Sequence, residues 1–187
     1  MARPAAAALV VVALASATVL VGSGCRKQAQ DPGGGKAASG RLPRIDVHVH
    51  MGPDGIERAR ELMTKWGIDG FVNLSGMYPG PPRYMLETQV EAAARLGGRV
   101  AVFANVDFVR AVRLHKDYGQ YLADQLDLAK QKGAIGLKIS KGLGLGFPAP
   151  DLKRPLPVDD PGLDKLFDKA GALGMPVAIH TGDPQAF

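Results

Sequence analysis

Three histidines and one lysine carry most of the chemistry this chain could perform. Asp46, His48 and His50 alternate with Ile45, Val47 and Val49. In an extended strand a period of two sends all three polar side chains to one face. Two imidazoles one step apart on a strand can each bring a nitrogen to about 2.0–2.1 Å from one divalent ion. His180 ends Pro176-Val-Ala-Ile-His180 with the same alternation, Val177 and Ile179 on one face and Ala178 and His180 on the other. Convergence of the three would make a metal site; the alternative is a set of buried, hydrogen-bonded histidines. Lys138 lies in Gly133-Ala-Ile-Gly-Leu-Lys-Ile-Ser140, where Gly136, Lys138 and Ser140 oppose Ile135, Leu137 and Ile139. A buried lysine needs an anionic partner or chemical modification. Three roles stay open for it: a carboxylated metal ligand, a cation for a substrate carboxylate, or an ion pair with Asp46 or another inward acid. Asn73 and Asn105 take the inward parity too, as substrate-orienting or structural groups. His115, the fourth histidine, reads as a solvated surface residue.

The elements that must position these side chains recur as a unit of strand, turn, amphipathic helix and glycine. Strands are expected at Ile45–His50, Gly70–Ser75, Val100–Asp107, Ala134–Ser140 and Pro176–His180. Between them run apolar stripes spaced near 3.6: Ile56/Ala59/Leu62/Met63/Trp66, Leu86/Val90/Ala93, Leu122/Leu126/Ala129 and Leu163/Leu166/Phe167/Ala170/Leu173. Gly67, Gly97, Gly133 and Gly174 stand where a left-handed helix stop is expected. Asp54 and Asp160 read as N-caps, the latter with Pro161 at the first helical position. Alternating βα units mean an α/β fold with a parallel sheet, either open and doubly wound or closed as a (β/α)8 barrel. The repeat runs at about 33 residues per unit. Eight units would need roughly 260 residues, close to the barrel's usual size. A barrel would therefore be truncated here after about strand 5. Its active site would lie at the C-terminal strand ends, where the histidines fall. The Gly-rich connection 141–157 is long and suggests a mobile lid. Its GLGLG run opens on no helix and is not a phosphate fingerprint.

The chain has 187 residues, 23 Lys+Arg against 18 Asp+Glu, 46% hydrophobic residues and one cysteine. That composition excludes a disordered chain, a disulfide-stapled mini-protein and a multi-span membrane protein. The net charge of +5 sits in Arg3 and residues 26–44; residues 45–187 hold as many acids as bases. No basic face for nucleic acid follows. Arg3, the apolar run 5–21 and Gly22-Ser23-Gly24 before Cys25 have the order of an export signal. They resemble a bacterial lipoprotein signal in which Cys25 is lipidated, although Gly22 stands where an aliphatic residue is usual. An uncleaved signal anchor and an ordinary secretory signal are the alternatives. Residues 1–25 are thus read as a signal, 26–43 as a flexible tether and 44–187 as the barrel part. The working part would be exported, in the cell envelope, held at the membrane by a lipid or signal anchor.

IDVHVH, GAIGLKIS and PVAIHTGDP together resemble the amidohydrolase superfamily, in the branch that includes aminocarboxymuconate-semialdehyde decarboxylase. The resemblance spans residues 44–187. It implies a (β/α)8 barrel with one or two divalent ions, commonly zinc, and His48, His50 and His180 as ligands. A further ligand His after strand 6 and a general-base Asp after strand 8 would lie beyond Phe187, so these 187 residues alone are expected to be inactive. The implied chemistry is hydrolysis of a C–N or C–O bond in a small molecule by a metal-activated water, or decarboxylation. TatD-type nucleases share the early His-x-His but usually carry Glu in strand 4, where this chain has Lys138. The polymerase-and-histidinol-phosphatase type adds histidines soon after the first pair, and none occurs here between His50 and His115. A non-catalytic exported protein that binds a metal or another ligand is the alternative from outside the enzymes.

Overall fold

The computed structural model describes residues 41–81 and 85–180. The expected signal, Cys25, most of the tether and the residues after His180 lie outside them. Among the described residues no helix is long and apolar enough to cross a membrane.

Five strands form the frame: β1 (Ile45–Val49), β2 (Gly70–Tyr78), β3 (Val100–Val106), β4 (Gly136–Ile139) and β5 (Val177–Ile179). They pair in chain order and every pair is parallel. The sheet curls into a half-barrel with helices outside it. Those helices are α1 (Ile56–Trp66), α2 (Leu86–Ala94), α3 (Phe108–Leu114), α4 (Tyr118–Gln131), the single turn α5 (Gly142–Leu145) and α6 (Asp164–Ala172).

The two periodicities meet in the core. Phe71, Val102, Ala104, Val106, Leu137 and Ile139 face the helices and pack with Ile56, Met63, Leu86, Leu122, Leu126, Leu166 and Ala170. Burial of each large apolar side chain there is worth about 1.5–3 kcal/mol. The expected glycine stops are all left-handed, with φ of 60° at Gly67, 62° at Gly97, 97° at Gly133 and 61° at Gly174. A side chain at such a position would be strained, so these glycines fix where each helix turns back to the sheet. Asp160 caps as expected, its carboxylate accepting from the Gly162 N–H at 2.9 Å.

Five features differ from the sequence expectation. β2 continues to Tyr78 because its register with β3 shifts between Asn73 and Gly76, which absorbs an extra residue. Phe108–Leu114 forms a separate helix, capped by Asp107, whose carboxylate accepts from the Arg110 N–H at 2.9 Å. Asp54 sits inside a 3-10 turn, Pro53–Gly55, rather than at the N-cap of α1. Trp66, at the end of the first stripe, is 56% exposed. The connection 141–157 is tied down: Gly144 N donates to Leu156 O at 2.9 Å, Leu156 N to Phe147 O at 2.7 Å and Ala149 N to Arg154 O at 2.9 Å. Leu143, Ala149 and Leu156 are buried under it. It is an anchored flap.

Inside the curl, Phe103 fills the space that Gly136 leaves. A Cβ on Gly136 would come within 2.4–2.6 Å of three Phe103 ring atoms. Gly136→Ala should therefore cost about 1–3 kcal/mol of stability in denaturant unfolding. In a Phe103→Leu background the same change should cost clearly less, because the ring it strikes is gone. Additive losses in the double variant would show that the ring is not what Gly136 accommodates.

Candidate active site

The C-terminal ends of β1–β4 open into a cleft of about 490 Å³. Its polar lining is His50, Ser75, Asn105, Asp107, Lys138 and Ser140; Leu74, Met77, Pro79, Val106, Phe108 and Phe147 supply the apolar walls. The flap contributes Phe147, whose ring stacks on Phe108 at 5.1 Å between centroids and 9° between planes. That stacking holds the flap against the N-terminus of α3.

The histidines converge. His48 and His50 have ring centroids 5.4 Å apart, and His48 lies 6.2 Å from His180. β1 and β5 are the two edges of the sheet, so the latter contact spans the mouth of the curl. Two irregularities shape it. The register of β1 on β2 slips between Asp46 and Val49. Asp46 accepts the His48 backbone N–H at 3.1 Å. His50 Nδ1 sits 3.1 Å from Ser75 Oγ, which orients the ring and leaves Nε2 for a ligand. Partial desolvation, then the positive charge of His48, Lys138 and His180, holds the His50 imidazole below its ordinary pKa. That favours the neutral, ligating form.

Lys138 pairs in register with Asn105 of β3 and Ala178 of β5. It is 4% exposed, and burial pushes its pKa down. The ion pair with Asp46 is not formed, and among the described residues no carboxylate pairs with the ammonium. His180 is held beside it, its backbone N–H donating to Ile139 O at 3.0 Å.

A divalent ion shared by two imidazoles at a tetrahedral angle sets their centroids about 5 Å apart, from nitrogen–metal distances of about 2.0–2.1 Å. The donor types here fit such an ion, and the His48–His50 spacing matches. His180 stands wider. Among the described residues no three His, Cys, Asp or Glu side chains are close enough as placed to hold a metal.

Other expected site residues fall elsewhere. Asn73 faces α2, on the same face of β2 as Phe71 and in register with Val102 of β3. Its Nδ2 donates to Met51 O and Gln89 Oε1, both at 3.0 Å. Its Oδ1 accepts from Met51 N at 3.1 Å and Ser75 N at 3.2 Å. Asn105 does face the cleft, with Nδ2 donating to Leu74 O at 2.9 Å. His115 is half-buried, stacked on Tyr121 at 3.8 Å, rather than free in solvent. Ser75, Phe108 and Phe147 were not singled out in the sequence. Asp107 before Phe108 was the one available signal, as a cap residue ending a strand.

No family model and no curated protein matches the chain. Among solved structures, one similar chain is a probable 2-pyrone-4,6-dicarboxylic acid hydrolase from Acinetobacter baumannii with citric acid bound. It is 15% identical, with a TM-score of 0.47, over 74% of this chain and 49% of that one. Another is a candidate phosphonomutase from Burkholderia cenocepacia, at 18% identity and a TM-score of 0.34, over 74% of this chain and 62% of that one. The chain thus spans about half the length of the first and under two thirds of the second.

Asn73 is 2% exposed and Gln89 1%, so their hydrogen bonds are out of reach of water. Asn73→Ala should lower stability by about 1–3 kcal/mol, since it orphans buried backbone and Gln89 groups. It should also perturb the His50 ring resonances, because Met51 loses its clamp. Denaturant unfolding and imidazole NMR read the two effects. A loss no larger than that of Asn105→Ala, with His50 unmoved, would remove Asn73 from this role.

Proposed function

We propose that the protein is a metal-dependent enzyme of the amidohydrolase type, a hydrolase of C–N or C–O bonds or a decarboxylase acting on a small molecule. The observation that carries this reading is the approach of His48, His50 and His180 from the two edges of the sheet, with His50 lining the same cleft as Lys138. A divalent ion would sit between His48 and His50, whose spacing fits it, with His180 drawn in as a third ligand; zinc suits the donor types, and it would supply Lewis-acid polarisation of a water or carbonyl oxygen. The chain's own residues do the remaining work. Ser75 fixes the His50 ring through Nδ1, and Asn73 anchors the chain immediately after it. Phe147 and Phe108 wall the cleft and reduce its contact with bulk water.

The working unit in this reading is a longer (β/α)8 barrel. Two apolar residues of β1 support it: Ile45 and Val47 are 56% and 66% exposed. Strands of a parallel sheet are ordinarily covered on both faces. The same reading places the protein outside the cytoplasm, lipid-anchored through Cys25, with no nucleic acid among its partners.

Elemental analysis of the whole purified protein tests the core of the proposal. About one or more zinc, manganese or iron ions per chain is the expected result, with a clear fall in His48→Ala and His180→Ala. Absence of stoichiometric metal, or metal content unchanged in both variants, would leave the non-catalytic ligand-binding protein as the better reading. For the anchor, Cys25→Ser should move the protein from the membrane fraction to the soluble one; unchanged membrane association would exclude lipidation there as the attachment.

A further inference from the structure

We propose that Lys138 is an amine nucleophile that forms a Schiff base with a small aldehyde or ketone in the cleft, a metal-independent activity separate from the one proposed above. Lys138 is 4% exposed on β4, and no carboxylate among the described residues pairs with it. A buried ammonium without a counter-ion is costly, and that cost falls away when the nitrogen is neutral. Burial accordingly pushes the lysine pKa down. The neutral amine is the form that attacks a carbonyl carbon. The side chain is not sealed into the core either. It lines a cleft of about 490 Å³ together with Leu74, Phe108 and Phe147, within the range of about 300–1,000 Å³ usual for small-ligand sites. On the neighbouring strand, Lys138 pairs in register with Asn105. Asp107 follows one alternation later, lines the same cleft, and is held by the Arg110 N–H at 2.9 Å.

The step balances without an oxidant or a reductant. The Nζ lone pair forms a C–N bond to the carbonyl carbon, and an Nζ proton moves to the oxygen, giving a carbinolamine. That hydroxyl takes a second proton, for which Asp107 is the acid lining the cleft. It leaves as water, so the C–O bond breaks as the C=N bond forms. The protonated imine draws electrons from the adjoining carbon, and the chemistry it supports is proton exchange or C–C bond cleavage there.

Reductive trapping tests this on the full chain after chelation of metals. Acetone is added at neutral pH with cyanoborohydride, which reduces an imine to a stable secondary amine, and the adducts are mapped by peptide mass spectrometry. Burial alone predicts that Lys138 is spared while exposed lysines such as Lys65, Lys116 and Lys153 are modified. A Schiff-base lysine is expected to be labelled first, about tenfold or more ahead of any exposed lysine. The second readout is exchange of the acetone oxygen with isotopically labelled water, which each cycle of imine formation and hydrolysis brings about. Lys138→Met should slow that exchange by about tenfold or more. Should the variant not fold, the adduct map of the unmodified protein still decides. Preferential labelling of exposed lysines, no adduct at all, or exchange unchanged in a folded Lys138→Met overturns the proposal. So does a carbamate on Lys138 formed from labelled bicarbonate. With metal removed throughout, failure here leaves the metal reading standing, and failure of metal binding leaves this one standing.

Discussion

The curl of one parallel sheet is the constraint on which the rest of this structure depends. β1 and β5 share no hydrogen bonds and stand at opposite edges of the strand order. Their terminal histidines nevertheless have ring centroids only 6.2 Å apart. A flat sheet of five strands would separate its edges by about 19 Å, four spacings of roughly 4.8 Å. The curl follows from the right-handed twist of each strand and from the helices packed outside. Inside, it has to be filled by side chains small enough for the tightening radius. Phe103 against Gly136 is that filling directly beneath Lys138, one large residue matched to one with no side chain at all. The site's geometry is therefore set by packing one layer below it.

Much of this was legible in the residues. Strand alternation placed Leu137 and Ile139 among the helices, and left Gly136, Lys138 and Ser140 for the interior. The four glycine stops fixed each helix end to within a residue or two. Those signals are local: the period of a strand, the sign of one φ angle. The failures were also local in origin, yet invisible in a linear pattern. A one-residue irregularity between Asn73 and Gly76 reverses the face of everything on one side of it. Counting back from Ser75, which lines the cleft, across that irregularity puts Asn73 in the mouth, whereas it shares the face of Phe71 and four hydrogen bonds hold it against Met51, Ser75 and Gln89.

The flap illustrates a different limit. Glycine and proline content in residues 141–157 reads as mobility, because such residues leave the free chain many conformations. What ties the segment down is three scattered apolar residues, Leu143, Ala149 and Leu156, together with a ring that meets Phe108 from another unit. None of these has a periodic signature. Contacts between elements far apart in sequence are what pattern cannot supply, and the walls of the cleft are made of them. The chemistry-bearing groups, by contrast, sit on strands, where parity does work.

Electrostatics then links the histidines to the lysine. His48, His50, His180 and Lys138 bring potential cations into one region, and partial burial, then the charges of the other three, lowers the His50 pKa. A divalent ion among the imidazoles would add two more positive charges close to a buried ammonium. At an effective dielectric constant near 20, unit charges about 6 Å apart already interact by nearly 3 kcal/mol. Such an arrangement holds together only if an anion lies between the charges, or if the lysine gives up its proton.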